Sequence, residues 1–162
     1  MSIVLARVDS RLVHGQVLEA WVPSVNADCI VVANDAVAAN SFQSTIMQAA
    51  VPSSLKLIIG SLEETAEILS SAQLLKKRVL LLFINSDDAL RVRRMGVDYQ
   101  KLNLGNMHSA EGTNRYSCTI ALDPADIENL QEIEAQGVTI VAQCVPSDRE
   151  QGWQKLVKFK GR

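Results

Sequence analysis

The segment Arg78-Val-Leu-Leu-Leu-Phe-Ile84 is the most apolar stretch of the chain. A continuous run of large apolar residues, without polar alternation, is typical of a strand that is covered on both faces of a parallel sheet. The run is far shorter than the roughly 18 apolar residues that a membrane-spanning helix needs, and no other stretch of the sequence reaches that length. We therefore predict that residues 78–84 form a strand at the centre of a sheet.

Outward from this strand, short apolar runs alternate with segments of helical period in both directions. Further strands are predicted at residues 3–6, 29–33, 55–59, 102–104, 119–122 and 138–142. Helices are predicted between them: Ser61 and Glu64 form a capping box, and Pro23 is expected to close the first helix. Alternating strands and helices joined by short turns predict an α/β fold. We expect a single domain, residues 1–162, with a mostly parallel open sheet of about seven strands and helices on both faces.

The composition is that of a globular protein, and the net charge argues against one class of binding partner. Hydrophobic residues make up 48% of the chain and charged residues 21%, which is enough apolar material for a core. A net charge of −2 argues against nucleic acid as a partner, because phosphate binding favours a basic surface. The N-terminus reaches Arg7 without a cleavage-site pattern, so no signal peptide is expected.

The remaining reactive side chains give no metal or cofactor pattern. Cys29, Cys118 and Cys144 are far apart, lack CxxC spacing and lie in apolar stretches, so we interpret them as reduced core residues of a cytosolic protein. Two histidines and three scattered cysteines do not have the spacing of a metal site. A nucleotide-binding domain of Rossmann or flavodoxin type would need a glycine-rich first turn, and this chain has a charged one. We expect neither a metal nor an organic cofactor.

The loop after the first strand is Arg7-Val-Asp9-Ser-Arg11-Leu-Val-His14-Gly15-Gln16. In open parallel sheets, ligands bind beyond the carboxyl ends of the strands, where this loop lies. A neutral imidazole is a competent nucleophile near pH 7, and a guanidinium can hold phosphate oxygens in a bidentate way. His14 is therefore the candidate nucleophile and Arg11 a candidate phosphate ligand, while Asp9 either holds the other ring nitrogen or positions Arg11. The charge of a phosphoryl group would be stabilised by the first amides of the helix, those of Gly15, Gln16 and Val17.

Four residues that follow other strands are candidates for the surroundings of His14, and each also has a structural interpretation. Asp35 follows the second strand and is either a site residue or a helix cap. Ser61 follows the third strand as an N-cap whose hydroxyl could also face the cleft. Asn106 either donates amide hydrogen bonds to the His14 loop or to phosphate, or belongs only to a tight turn. His108 either lines the same cleft or has a structural role.

The stretch from Asp9 to Val17, together with Trp21, closely resembles the active-site segment of one protein family. This family comprises the IIB components of the mannose/fructose/sorbose type in the phosphoenolpyruvate-dependent sugar phosphotransferase system. Further motifs that resemble its landmarks follow in the same order: Asn34-Asp35, Asn103 to His108, and Val145-Pro146. The resemblance runs from about residue 3 to about residue 148, nearly the whole chain.

Two positions depart from the pattern of that family. Ser10 stands where a second acidic residue is usual, which leaves one negative charge fewer beside the imidazole. After His108 the family usually has a Gly-Lys pair, and here the stretch is Gly112-Thr-Asn-Arg115. We expect the first departure to alter the basicity or partner preference of His14 without loss of the phosphoryl acceptor.

The resemblance implies a phosphocarrier that is phosphorylated on His14. Its donor would be the phosphohistidine of a IIA domain, and its acceptor a hexose-type sugar brought in by membrane IIC and IID subunits. The protein would then be a protein-phosphohistidine–sugar phosphotransferase, cytoplasmic and peripherally associated with those subunits. A regulatory histidine phospho-acceptor without a transport role is the alternative, because it would need the same residues. The sequence leaves open the sugar, the reacting nitrogen of His14 and whether the chain forms a homo-oligomer.

Overall fold

The structure, a computed structural model, describes residues 2–160 of the chain, and side chains as far as residue 158. Its strands are β1 (Ser2–Asp9), β2 (Cys29–Ala33), β3 (Lys56–Gly60), β4 (Arg78–Phe83), β5 (Lys101–Asn106), β6 (Asn114–Arg115), β7 (Ala121–Leu122), β8 (Thr139–Ala142) and β9 (Gln151–Gly152). Its α-helices are α1 (Val22–Val25), α2 (Asp35–Ala38), α3 (Ser41–Ala50), α4 (Leu62–Ser70), α5 (Ser86–Arg94), α6 (Pro124–Ala135) and α7 (Trp153–Lys160). A π-helical segment, Val17–Trp21, leads directly into α1, and a 3-10 turn, Ala72–Leu74, follows α4.

The main sheet has seven strands in the order β3-β2-β4-β1-β5-β8-β9. Every neighbouring pair is parallel except β8 and β9. Strand β4 lies between β2 and β1, and Val79 to Phe83 have no exposed surface, as its unbroken apolar sequence predicts. The predicted α/β fold is confirmed, and β1 occupies the middle of the sheet. The loop that follows β1 therefore leaves from the centre of the carboxyl edge.

One predicted strand, at residues 119–122, does not join the main sheet. Only Ala121 and Leu122 are extended, as β7, and they pair antiparallel with β6. The segment meets the main sheet in an isolated parallel bridge between Ile120 and Met107, the residue after β5. The carbonyl of Ile120 accepts hydrogen bonds from the amides of Tyr116 and Ser117, at 2.8 and 3.2 Å, in the turn between β6 and β7. The seventh strand of the sheet is instead β9, which the sequence does not predict because Gln151–Gly152 contains no apolar run.

Pro23 does not close the first helix, as the sequence led us to expect. It lies in the first turn of α1, and the helix ends at Asn26 in the left-handed conformation, with φ 56° and ψ 46°. The amide of Val22 bonds to the carbonyl of Val17, five residues back, so Pro23 stands where the π-helical segment changes to α-helix. Pro23 has no amide to donate, so it adds no backbone hydrogen bond where the two helical segments join, yet the chain remains helical as far as Val25.

Two apolar layers cover the two faces of the sheet, as predicted. Strand β4 alternates between them, because Leu81 packs into one layer and Leu80 and Leu82 into the other. Buried leucines of α4, α5, α6 and α7 contribute to the first layer: Leu69, Leu90, Leu130 and Leu156. The second layer receives side chains from the π-helical segment, α2 and α3: Val17, Trp21, Val37 and Met47. Among residues 2–160, no helix has the length and apolar character to cross a bilayer.

The three cysteines have different environments. Cys29 is buried in β2, Cys144 is half-buried and Cys118 is exposed, and all three are free thiols. The expectation of a core position is therefore correct for Cys29 and wrong for Cys118. The reason is local, since Cys118 lies in the turn that connects β6 to β7.

Truncation of Leu81 tests the role of β4 as the apolar centre of the fold. Leu81→Ala should lower the free energy of unfolding by about 2–5 kcal/mol, because it leaves a cavity in a layer that cannot collapse fully. Urea unfolding followed by circular dichroism measures this loss. Phe42→Ala is the control, since Phe42 is 74% exposed and its truncation should change stability by less than about 0.5 kcal/mol. Equal effects of the two substitutions would contradict this assignment of the core.

Candidate functional site

The carboxyl edge of the sheet brings together residues that are far apart in the chain. Strands β1 and β5 are parallel neighbours, and Asp9 at the end of one is in register with Asn106 at the end of the other. The amide of Ser10 donates to the carbonyl of Asn106 at 2.8 Å. The loop that carries His14 therefore starts against the end of β5.

The loop between β1 and the first helix turns back so that His14 faces Asp9. The amide of Leu12 donates to the carbonyl of Asp9 at 2.9 Å, and Leu12 has a left-handed backbone with φ 55°. Burial of the Leu12 side chain, which is 1% exposed, helps to offset the cost of this conformation. The amide of Leu18 donates to the carbonyl of His14 at 3.0 Å, so the helix begins immediately after the histidine.

The two ring nitrogens of His14 have different surroundings. Nε2 lies 2.9 Å from Oδ2 of Asp9. Nδ1 is shielded from solvent and has no hydrogen-bond partner among the residues that the structure describes. Because a carboxylate accepts hydrogen bonds, the network assigns the proton to Nε2 and the lone pair to Nδ1. Nδ1 is therefore the ring nitrogen whose lone pair is not used in a hydrogen bond among the described residues.

Asp9 is the hydrogen-bond centre of the site. It accepts from His14, from the amide of Arg11 at 3.0 Å, from Nε of Arg7 at 3.2 Å and from Nδ2 of Asn106 at 3.1 Å. Burial disfavours its ionised form, but the hydrogen bond with His14, the charge of Arg7 and the hydrogen bond from Asn106 outweigh burial and lower the pKa of Asp9. Of the two roles that the sequence allowed, Asp9 therefore holds the ring nitrogen, and it contacts only the backbone of Arg11.

Arg7 belongs to this site, although the sequence analysis assigned it no role. Its side chain has no exposed surface, and its guanidinium lies 4.8 Å from the ring centroid of Trp21. It donates to Asp9, to Oδ1 of Asn103, and to the carbonyls of Gln143 and Cys144 at 2.8 Å each. The signal that could have revealed it is a charged residue two positions before Asp9 in a central strand, which places both side chains on one face.

Burial lowers the pKa of Arg7, and the charge of Asp9 opposes that effect. An arginine starts from a pKa so high that it stays protonated at neutral pH. Gly105 makes room for this cation, because a Cβ at that position would lie 2.0 Å from both Cζ and Nη2 of Arg7. The buried pair of Arg7 and Asp9 thus requires a glycine in β5.

The groups predicted to bind phosphate lie at the open side of the loop. The Arg11 side chain is exposed and lines a small cleft of about 170 Å³ with Asn106, His108 and Arg115. Gly15, Gln16 and Val17 follow His14 in the first turn of the helix, where amides have no helical acceptors. A Cβ on Gly15 would meet no atom within 4 Å, so the space beside this turn is free.

The four surrounding candidates fall into two groups. Asn106 contacts Asp9 directly, and His108 is exposed and lines both the small cleft and a larger one of about 560 Å³. Asp35 accepts a hydrogen bond from the amide of Leu62 at 2.9 Å, and Ser61 caps α4. Ser61 thus has the capping role, whereas the helix after β2 is capped by Asn34 and Asp35 binds the first amide of α4 instead. Within residues 2–160, neither Asp35 nor Ser61 shares a hydrogen bond with His14 or Asp9. No cluster of three His, Cys, Asp or Glu side chains in this part of the chain is arranged to hold a metal ion.

Known proteins share the sequence and the fold of this chain. Residues 3–162 match the family described as the PTS system sorbose subfamily IIB component. The sorbose-specific EIIB component of Klebsiella pneumoniae is 35% identical over 148 residues, which cover 91% of this chain and 90% of that protein. The mannose-specific EIIAB component of Escherichia coli K12 is 30% identical over 91% of this chain, and the match covers 46% of that longer protein.

Solved structures agree with these matches. The crystal structure of the IIBSor domain of the sorbose permease from Klebsiella pneumoniae superposes with a TM-score of 0.93 at 33% identity, over 98% of each chain. The crystal structure of manxB from Thermoanaerobacter tengcongensis gives a TM-score of 0.89 at 26% identity, over 97% of this chain and 95% of that one. The sequence match spans the loop with His14 as well as the sheet that positions it. The chain belongs to the sorbose subfamily of IIB components of the sugar phosphotransferase system.

Proposed function

We propose that this chain is a phosphocarrier in which Nδ1 of His14 accepts a phosphoryl group from a IIA phosphohistidine and passes it to a hexose-type sugar. One observation carries the proposal: Asp9 holds Nε2 at 2.9 Å, while Nδ1 has no hydrogen-bond partner among the described residues. An imidazole fixed in this way has its lone pair on a defined nitrogen, which is the requirement for in-line attack. The family shown by the comparisons is one of phosphotransferase components.

The transfer relies on position and charge stabilisation rather than on a general base. The bond from Nδ1 to phosphorus forms as the bond from the donor imidazole to phosphorus breaks, and the proton on Nε2 stays in its hydrogen bond to Asp9. The phosphoryl oxygens carry the developing charge, for which the exposed Arg11 and the first amides of the helix are suited. When a sugar hydroxyl later attacks phosphorus, the new oxygen–phosphorus bond forms as the bond from Nδ1 to phosphorus breaks, and the hydroxyl proton is released to water. The same groups stabilise the charge on the phosphoryl oxygens in this second step.

Access to Nδ1 requires a rearrangement of the loop. Nδ1 is shielded from solvent in the structure, so a donor histidine cannot reach it without movement of residues 10–14 or of the ring. Leu12 is the residue of this loop with a left-handed backbone, a conformation that costs about 1–2 kcal/mol outside glycine. We expect docking of the IIA domain to release this conformation and expose the nitrogen.

The partners in this proposal follow from the family. A relative of this chain is named an EIIAB component, which fits a IIA domain as the phosphoryl donor. The sugar would be delivered by membrane IIC and IID subunits, with this chain acting at their cytoplasmic side. The relatives carry the names of sorbose, mannose, fructose and N-acetylgalactosamine, and we propose a substrate within this class of hexose and hexose derivatives.

Substitution of the two histidines tests the acceptor. With phosphoenolpyruvate, the general carriers of the system and a cognate IIA domain, His14→Ala should abolish labelling of this chain because no other imidazole lies in the fixed geometry. His108→Ala, the matched control, should keep labelling within about threefold of wild type, a difference of roughly 0.7 kcal/mol. Autoradiography after acid-free electrophoresis measures both. Label retained on His14→Ala would overturn the proposal.

Replacement of Arg11 by lysine tests the phosphate ligand. Arg11→Lys keeps the charge but loses the bidentate fork, and we expect the rate of transfer from IIA to fall roughly tenfold, which corresponds to about 1.4 kcal/mol. Rapid-quench kinetics under single-turnover conditions measures the rate. Arg94→Lys is the control, because Arg94 pairs with Glu132 on the exposed side of α5 and should leave the rate unchanged. An unaltered rate for Arg11→Lys would argue against contact with the phosphoryl group.

A further inference from the structure

We propose that Arg7 is a positioning residue for this reaction: it balances the charge of Asp9 and fixes the orientation of that carboxylate, so that His14 stays a neutral nucleophile with its proton on Nε2. The inference rests on the proposed function and extends it to a residue that does not touch the phosphoryl group. Its observations are the burial of Arg7, its four hydrogen-bonded partners and the absence of a Cβ on Gly105.

The negative charge of Asp9 has two opposing effects on His14. A buried carboxylate at 2.9 Å from Nε2 orients the ring, but an uncompensated negative charge also favours the imidazolium, whose nitrogens have no lone pair to attack phosphorus. Arg7 lies 3.2 Å from the same oxygen, Oδ2. Its positive charge compensates the carboxylate while leaving the hydrogen bond to Nε2 in place. Asp9 can then orient His14 without keeping it protonated.

The other groups around the histidine do not replace this compensation. Asn106 approaches Asp9 from β5 with a neutral amide, and Cys144, which contacts Gln16 through Sγ at 3.9 Å, contributes a thiol from the loop after β8. Arg11 is on the same loop as His14, but its exposed guanidinium is screened by solvent. Among the described residues, Arg7 is the buried cation that contacts Asp9.

The position of the guanidinium is fixed on every side. Nη1 and Nη2 donate to the carbonyls of Gln143 and Cys144, and the ring of Trp21 lies against the cation. Nε1 of Trp21 donates to the same carbonyl of Cys144 at 3.1 Å. A rigid planar fork can satisfy these carbonyls and Asp9 together, whereas a lysine ammonium presents one point of charge. Arg7 therefore connects the end of β8 with the helix that starts at His14.

Gly105 provides a way to disturb this arrangement without removing any charge. In Gly105→Ala, the new Cβ would overlap the guanidinium of Arg7 and force it away from Asp9. In Arg7→Lys, the charge remains but the fork is lost. Arg7→Ala removes the side-chain atoms that the new Cβ would overlap, so it provides the background in which Gly105→Ala should no longer clash with residue 7. Gly152→Ala is the control, because a Cβ there meets no atom within 4 Å and Gly152 lies in β9, away from the site.

The test uses the full chain and begins with the unphosphorylated protein. ¹⁵N-edited NMR reports which nitrogen of His14 carries the proton and the pH at which the ring titrates. In Gly105→Ala we expect the midpoint of this titration to move to higher pH and the Nε2-protonated form to become less populated. In Arg7→Lys we expect a mixed tautomer with a smaller change of midpoint. Gly152→Ala should match wild type in both respects.

Single-turnover transfer from IIA, measured between about pH 5.5 and 8.5, gives the functional readout. The proposal expects Gly105→Ala to lose at least roughly tenfold in rate near pH 6 and to recover part of it near pH 8, where the imidazole is again neutral. A loss that is equal at every pH, with an unchanged tautomer and titration, would show a purely structural role and overturn the inference.

Two further comparisons distinguish a failure of the inference about Arg7 from a folding defect and from a failure of the proposed function. If Gly105→Ala fails to fold, its effect in the Arg7→Ala background decides the steric part: a double variant as stable as Arg7→Ala alone supports the close fit of Arg7 against Gly105, and a further loss of stability overturns it. If wild type itself takes no label on His14, the proposed function fails, whereas the NMR comparison still tests Arg7 on its own terms.

Discussion

The arrangement of the site depends on the buried ion pair between Arg7 and Asp9. Both side chains lack exposed surface, and two charges without water are tolerated only when their remaining hydrogen-bonding groups are satisfied. The partners that satisfy those groups by hydrogen bonds are Asn103 and Asn106 of β5 and the carbonyls of the residues that follow β8. The pair thereby ties together three neighbouring strands at the carboxyl edge of the sheet. Removal of one partner would leave an uncompensated charge in the middle of the molecule.

The same ion pair determines which ring nitrogen of His14 carries the proton and which keeps a lone pair. Because every neighbour of Asp9 in the network donates to it, the carboxylate remains an acceptor and the histidine must offer a proton through Nε2. Nδ1 is left as the nitrogen with a lone pair at the start of a helix, where amide groups and the helix dipole favour negative charge. In the proposed transfer, the acceptor atom and the groups that stabilise the phosphoryl oxygens would therefore come from one short loop, which packs against a buried arginine.

The fold was largely predictable because apolar runs and helix caps are local signals. The seven-stranded, mostly parallel sheet with helices on both faces followed from the alternation around residues 78–84. Two predictions about individual segments were wrong, and each has a cause in the local hydrogen bonding of the folded chain. Residues 119–122 have the composition of a strand, but Ala121 and Leu122 pair with the short strand β6, and the segment meets the main sheet in an isolated bridge to Met107. Pro23 resembles a helix end, but it lies where a π-helical segment changes to α-helix, and the chain remains helical as far as Val25.

What the sequence determined by itself was the fold class and the composition of the loop that carries Asp9, Arg11 and His14, since both depend on residues close together in the chain. Only the tertiary structure decided the partners of these residues. Asn106 reaches Asp9 across 97 positions, while Asp35 and Ser61, equally plausible from their place after strands, serve as caps at α4. The spacing of Arg7 and Asp9 indicates that the two side chains share a face of β1, but the partners of Arg7 in β5 and after β8 could not be predicted, because strand order becomes defined only when the sheet is assembled.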